Sequence, residues 1–316
     1  MDYDVINSAI DDIVYIVNQY NKDKEYEVSV CEKLVLTLFG YYLVFGPEIF
    51  TKIGKLLDAL QIKECENSEE CIKEKIKIIP KRKTEFDDFS STIWQYQYVG
   101  EKEDFVGAIP HIVYYKKNLI KDVSSMIHEF SHCLEGVTAV ITEETPTSLT
   151  IKQGFEEYTI TKDETYYKTT GRAMTELITV AIQNRCIQQL INLDPTQITN
   201  PMVKDFVGQL SSNKNKNAIV MAYPTMTVLF KDLLDNDEFF ELIKRHYYET
   251  EQETIIKKFN SYDEKLSFER LQLYAEKVVW GDIDNTIYYS KPIKQQIDIF
   301  NEKTSFMPDK RMVFII

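Results

Sequence analysis

The segment His128-Glu129-Phe130-Ser131-His132 constrains this chain more than any other part of it. It lies within Asn118–Gly136, where apolar residues recur every three or four positions: Leu119, Val123, Met126, Ile127, Phe130 and Leu134. This spacing predicts one amphipathic helix that has Asn118 as its N-cap and ends at Gly136. Residues four apart lie one above the other on a helix, so His128 and His132 are expected to present two imidazoles to one point.

The residue types in this segment are those of a zinc site. Two neutral imidazoles are zinc ligands, and the carboxylate of Glu129, roughly 100° round the helix from His128, is placed to take a proton from zinc-bound water. The chain has only 4 His among 316 residues, so an accidental match is rare. We therefore predict a Zn2+ site with Glu129 as general base. The alternative is a helix whose two His face solvent or pack in the core.

Composition and charge limit the class of protein and its partners. The chain is 44% hydrophobic and 28% charged, with 10 Gly and 9 Pro, which indicates a folded globular protein. A formal net charge of −13 argues against nucleic acid or an anionic membrane surface as a partner. We expect no apolar run long enough to span a bilayer. No signal peptide is visible and the 5 Cys are scattered, which favours the cytoplasm and leaves export open.

Hydrophobic periodicity predicts a chain that is mostly helical with strands in its middle. Helices are expected at 4–20, 28–45 and 47–60, followed by a charged stretch at 63–83 that is part helix and part loop. Alternation predicts strands at 91–99 and 109–115, and a hairpin around Gly154 within 148–168. The remaining helices are expected at 172–183, 201–213, 217–234, 236–247, 251–260, 263–279 and 286–301, with the apolar end at 312–316 docked on the body.

These elements predict a mostly helical α+β fold. We expect a small antiparallel or mixed sheet to pack on the helix that carries residues 128–132, between helical N- and C-terminal regions. Residues 1–90 are interpreted as a helical N-terminal region and residues 91–316 as a catalytic region. The chain has no linker rich in Gly, Ser or Pro, so the two are expected to form one compact unit.

A catalytic zinc needs a third protein ligand as well as an open position for water. Glu135 and Thr138 stand where the metzincin pattern requires Gly and His, so that pattern is absent. The remaining candidates are two histidines and several downstream acids: His111, His246, Glu143, Glu144, Glu156, Glu157 and Glu176. Glu143 and Glu144 are expected in a loop after the first ligand helix.

Glu176 is the preferred third ligand. It lies within a strong helical pattern and is flanked by apolar residues, where a charge is costly unless it is paired or bound to metal. The alternative is an exposed helical Glu paired with Arg172, four residues earlier.

The segments His128–His132 and Thr175–Thr179 together resemble the gluzincin clan of zinc metallopeptidases. The gap between them is longer than in thermolysin-like members and is more similar to that of lethal-factor-like members. The resemblance covers about residues 109–235 and implies a zinc-dependent peptidase that acts on a peptide or protein, with Glu176 as a metal ligand. Thr175 replaces the usual Asn, and Val180 replaces an acid that often orients a zinc ligand. Thr179 or a backbone carbonyl would then have to give that support.

One further expectation follows from the resemblance, and another from the alternation of Thr, Tyr and Ile in the hairpin. A Tyr or His should stabilise the oxyanion; Tyr223 is the first choice and His246 the second, and Tyr158, Tyr166 and Tyr167 also lie between the ligand helices. The hairpin before the second ligand helix is expected to supply an edge strand for an extended substrate. The alternative function is a catalytically inactive zinc-binding or protein-interaction module of the same fold.

Overall fold

The computed structural model describes residues 2–79, 91–99, 104–137, 139–161, 166–212 and 236–248. The helices of this part are α1 (Tyr3–Lys24), α2 (Val28–Phe45), α3 (Phe50–Ala59), α4 (Ser68–Ile78), α5 (Leu119–Gly136), α6 (Arg172–Ile191), α7 (Pro201–Ser211) and α8 (Asp237–Tyr248). The strands are β1 (Gln61–Cys65), β2 (Ser91–Val99), β3 (Asp104–Tyr115), β4 (Val140–Glu144), β5 (Ser148–Gln153), β6 (Glu156–Thr161) and β7 (Tyr166–Thr170). This mixture of helices with small sheets confirms the predicted α+β class.

The strands form two separate small sheets. In the first, β3 lies between β1, which is parallel to it, and β2, which is antiparallel. One face of this sheet carries Ile93 and Val113, which pack with Cys71 of α4, and the other face carries Ile112, which packs in the main core with α5. The second sheet is antiparallel throughout, in the order β4-β5-β6-β7.

Two strands correct the sequence analysis. β1 lies partly in the stretch 63–83, which we interpreted as helix and loop, and its partner strand is β3, far along the chain. β4 contains Glu143 and Glu144, which we had placed in a loop, and all of its residues are exposed. Neither strand shows apolar alternation, because charged residues interrupt the first and the second buries neither face.

The other predicted elements are confirmed within the described ranges. The hairpin around Gly154 is formed by β5 and β6, and the helix expected at 172–183 continues as α6 to Ile191. The helices expected at 217–234, 251–260, 263–279 and 286–301, and the docking of 312–316, lie outside the described residues. The division at residue 90 stays a prediction; β1 lies before it in sequence and pairs with β3 after it.

Helix α2 lies at the centre of the main core. It packs against α1, α5 and α6, and the Tyr41 hydroxyl donates a hydrogen bond of 3.0 Å to the Ile127 carbonyl of α5. Contrary to our expectation, this helix is long and apolar enough to span a membrane by length and composition, with a mean hydropathy of 1.6. In this structure 67% of the helix is buried, and a helix surrounded by other helices has the same composition.

A buried ionic cluster joins α2, β1 and α5. The Lys33 ammonium group lies 3.1 Å from Asp122 Oδ2 on α5 and donates a hydrogen bond to Glu64 on β1. The Tyr114 hydroxyl donates to the same Glu64 carboxylate at 2.9 Å. Burial alone would raise the pKa of Glu64, but the hydrogen bonds from Lys33 and Tyr114 outweigh it and hold that pKa below its ordinary value. The cluster therefore fixes the first turn of α5 against the N-terminal elements.

Candidate metal centre

Helix α5 presents His128 and His132 on one face, as the sequence predicts. The Asn118 side chain accepts a hydrogen bond of 3.0 Å from the Lys121 backbone N–H, and the helix ends at Gly136. Both predicted boundaries are confirmed. The two imidazole rings lie 5.0 Å apart between centroids, and their Nε2 atoms are separated by 3.4 Å. Four-residue spacing on a regular helix is sufficient to produce this approach.

Gly171 positions the start of α6, the helix that carries Glu176. Its φ of 78° lies in the left-handed region, and a Cβ there would stand 1.9 Å from the Phe155 carbonyl oxygen. Farther along α6, the Gln183 amide lies 2.9 Å from both the carbonyl and the hydroxyl oxygen of Ser124 on α5. These contacts hold α6 beside α5, so that Glu176 faces the two histidines.

The three predicted metal ligands meet at one point. Glu176 Oε2 lies 3.3 Å from His128 Nε2 and 3.4 Å from His132 Nε2, and Glu176 is only 4% exposed. Zinc held at about 2.0–2.1 Å by three tetrahedral ligands requires them to be about 3.3–3.4 Å apart. All three sides of the ligand triangle match that length. Among the described residues, this is the one group of His, Cys, Asp or Glu side chains with metal-ligand geometry.

The electrostatics of the triangle favour a cation. Burial would raise the pKa of Glu176, but the charges of His132 and His128 hold it far below its ordinary range. Burial would likewise lower the pKa of His132, yet the negative charge of Glu176 raises it to about 9. Glu176 Oε2 makes no hydrogen bond of normal geometry, although it is fully buried. A proton shared with His132, or a metal ion, balances this carboxylate.

Glu129 lies close enough to His132 for its charge to act on that imidazole, and it contacts a residue that the sequence analysis missed. Its side chain is buried, and Thr92 on β2 places its hydroxyl 3.0 Å from Glu129 Oε2 and 2.8 Å from the Glu129 carbonyl oxygen. The single hydroxyl proton can be donated to one of these oxygens at a time. Thr92 is an ordinary strand residue in sequence, so only the packing of β2 on α5 reveals this contact.

The other candidate ligands whose side chains the structure describes all lie outside the triangle. His111 shares the sheet face of Ile93, its Nε2 lies 3.2 Å from Gln95 Oε1, and burial lowers its pKa. Glu143 and Glu144 are exposed on β4, which removes both from consideration. Glu156 and Glu157 begin β6 outside the triangle. The His246 side chain lies outside the described residues.

Glu156 nevertheless lies within electrostatic reach of the site. Burial raises its pKa, the charges of Arg172 and His132 act to lower it, and that of Glu176 acts to raise it. Arg172 itself is half exposed, and its Nε lies 3.9 Å from Glu176 Oε1. The alternative interpretation of Glu176 as an exposed residue is wrong, because Glu176 is buried against the histidines, although the ion pair with Arg172 that it predicted is present.

Support for the ligands differs from what the sequence suggested. Val180 is fully buried in the core, and the buried Thr179 hydroxyl makes no hydrogen bond to any residue the structure describes. The backbone of the second ligand is held instead by Gln153, whose amide donates 3.0 Å to the His132 carbonyl. Of the residues considered for the oxyanion, Tyr158 hydrogen-bonds Gln153 and Tyr96. Tyr223 and the side chains of Tyr166 and Tyr167 lie outside the described residues.

Comparison of the chain with protein-family models, with curated proteins and with solved structures found no match. The resemblance to the gluzincin clan consequently stays a prediction from the two motif segments.

Replacing Gly136 by Ala is expected to destabilise the fold by about 1–3 kcal/mol, as overpacking does. A Cβ there would stand 2.0 Å from the Trp94 ring, so the indole or the end of α5 has to move. Chemical denaturation measures the change. Gly54→Ala is the matched control, because a Cβ at this helical glycine meets nothing within 4 Å and should stabilise α3 slightly. Equal effects of the two substitutions would contradict the close packing of Trp94 on the helix end.

Proposed function

We propose that this protein is a zinc-dependent peptidase that hydrolyses peptide bonds, with a first sheet packed on the active-site helix α5. The observation that carries the proposal is the buried triangle of His128, His132 and Glu176, with sides of 3.3–3.4 Å, beside the carboxylate of Glu129. A zinc-binding scaffold has no need of a carboxylate at this position, whereas hydrolysis requires a general base. Peptide or protein is the proposed substrate.

His128 Nε2, His132 Nε2 and Glu176 Oε2 would hold the ion. The proton transfers are carried out by a side chain of the protein. When bound, zinc would polarise a substrate carbonyl and lower the pKa of a water molecule. Glu129 accepts a proton from the attacking water and delivers it to the leaving amine. The Thr92 hydroxyl lies 3.0 Å from Glu129 Oε2, and when it donates its proton there it orients the carboxylate, which would make Thr92 a positioning residue.

A catalytically inactive zinc-binding or protein-interaction module is the second candidate. It is favoured by Val180, because the buried valine leaves no acid at the position that commonly orients a zinc ligand in the clan. This candidate predicts the same metal content and no cleavage of any peptide.

The Glu129→Gln variant is expected to retain zinc and to lose peptidase activity by at least about 100-fold, since it lacks the general base but none of the metal ligands. The measurement combines metal analysis with cleavage of a peptide library by the zinc-loaded full chain. Glu157→Gln, which changes the same functional group on β6, is the control and should leave the rate unchanged. One zinc per chain without cleavage by either the wild type or the variant would favour the inactive module.

A further inference from the structure

A cavity of about 190 Å3 lies between the two sheets, next to the C-terminal end of α5. Its walls are contributed by both sheets and include Trp94, Tyr96, Phe105, Ala108, Ile151 and Tyr158. Every residue in the described lining is uncharged. A charged group entering this space would lose its water without gaining an ionic partner, so the cavity selects apolar groups.

The cavity forms because the β2–β3 strand pair extends beyond the end of α5. Ile112 lies opposite Thr92 in the strand register, where this face of the sheet meets the helix. Farther along the same face, Tyr96 lies opposite Ala108, beyond the helix end at Gly136. The second sheet covers this part instead of a helix, and the Tyr96 and Tyr158 hydroxyls meet at 2.9 Å. The two sheets therefore enclose a space that none of the described helices fills.

The polar atoms at the cavity wall form a chain that reaches the metal centre. The Tyr158 hydroxyl donates 3.3 Å to Gln153 Oε1, and the Gln153 amide donates 3.0 Å to the His132 carbonyl. These groups satisfy one another, so the wall offers mainly apolar surface to an occupant. Val140 and Ile141 add two exposed apolar side chains to the lining, at 55% and 41% exposure.

We propose that this cavity binds one bulky apolar side chain of the peptide substrate, next to the bond that is cleaved. One helical turn, about 6 Å, separates His132 from Gly136, and side chains on the same side of an extended peptide are about 6.6 Å apart. A cavity of about 150 Å3 accepts benzene, so this one accommodates a Phe or Leu side chain. The substrate role rests on the proposed peptidase function, whereas the apolar binding does not.

Binding of a small probe tests the cavity without requiring catalysis. The full chain is titrated with N-acetyl-L-phenylalaninamide, and binding is followed by saturation-transfer NMR. We expect saturable binding of this probe and none of the α-amide of N-acetyl-L-aspartic acid, whose side-chain carboxylate is charged. Ala108→Phe fills the cavity from β3 and is expected to weaken phenylalaninamide binding by at least about 10-fold.

Two further variants separate cavity filling from misfolding. Ala139 is exposed at the lining, so Ala139→Phe fills the cavity from a second wall without adding bulk to the core, and it should reproduce the loss of binding. Ala59→Phe adds the same bulk at the exposed end of α3 and should leave binding unchanged. Equal binding of both probes by the wild type, or unaltered binding by both filled variants, would overturn the proposal.

Cleavage of matched peptides separates this proposal from the proposed function. Peptides that differ only by Phe or Ala at one position near the scissile bond are compared, and Ala108→Phe should lower kcat/KM for the Phe peptide alone. Saturable probe binding without cleavage would leave the cavity assigned and reject the peptidase. Equal kcat/KM for the Phe and Ala peptides at every position, together with no probe binding, would reject the cavity assignment and retain the peptidase.

Discussion

Replacement of Glu176 by Gln is expected to lower zinc affinity by about 1000-fold. The variant keeps the shape of the side chain but removes the charge that lies 3.3 and 3.4 Å from the two imidazole nitrogens. Zinc sites with four protein ligands bind with up to about 16 kcal/mol, so each ligand contributes up to about 4 kcal/mol. At about 1.4 kcal/mol for each factor of ten, this gives the expected loss. Competition with a fluorescent zinc chelator measures the affinity.

Two matched substitutions control for the loss of a negative charge. Glu143→Gln removes a carboxylate from the exposed strand β4 and should leave the zinc affinity unchanged. Glu156→Gln removes the carboxylate that lies near the triangle without belonging to it, so its effect should be much smaller than that of Glu176→Gln. A larger loss for Glu156→Gln than for Glu176→Gln would mean that the wrong third ligand has been assigned.

Replacement of Lys33 by Met is expected to destabilise the fold by about 3 kcal/mol. It leaves the buried Asp122 carboxylate without its cation, and Glu64 keeps only the partly exposed Lys116 as a cation, 3.4 Å away. The same change of Lys73, whose ion pair with Glu69 is exposed on both sides, should cost less than about 1 kcal/mol. Urea denaturation measures both variants. Equal stability of the two variants would contradict the structural role of the buried cluster.

The pH dependence of the free energy of unfolding tests the same ionic cluster through its carboxylate Glu64. The folded pKa of Glu64 is held below its ordinary value, so the stability it contributes is present above about pH 4.3 and is lost as the pH falls through the folded pKa. The stability advantage of the wild type over Glu64→Gln should therefore be largest near neutrality and shrink on acidification. A stability advantage of the wild type that grows as the pH falls would mean that folding raises the pKa of Glu64, which would contradict the account.

The group of His128, His132 and Glu176 that could hold a metal was predictable because its signals are local. The spacing of His128 and His132 and the apolar stripe of α5 are properties of one helix, which sequence periodicity resolves well. Glu176 was predictable for a related reason, since an acid among apolar residues requires a partner. The structure supplies what these arguments could not, which is the packing of α6 on α5 and the resulting length of each side of the triangle.

The elements that were missed depend on contacts between distant parts of the chain. β1 contains Lys63 and Glu64, and it forms a strand because it pairs with β3 and because Lys33 neutralises the buried Glu64. The contact of Thr92 with Glu129 exists because β2 packs against α5. No sequence feature around Thr92 predicts this packing. The apolar cavity likewise depends on two sheets whose strands are separated by the whole of α5.

X-ray absorption at the zinc edge, recorded on the zinc-loaded full chain, tests the assignment of the three metal ligands most directly. We predict one zinc per chain, with two imidazole nitrogens and carboxylate or water oxygens at about 2.0–2.2 Å. Sulfur scattering at about 2.3 Å would assign the metal to cysteine and contradict the account. A chain that binds no zinc, or whose spectrum is unchanged by Glu176→Gln, would contradict it equally.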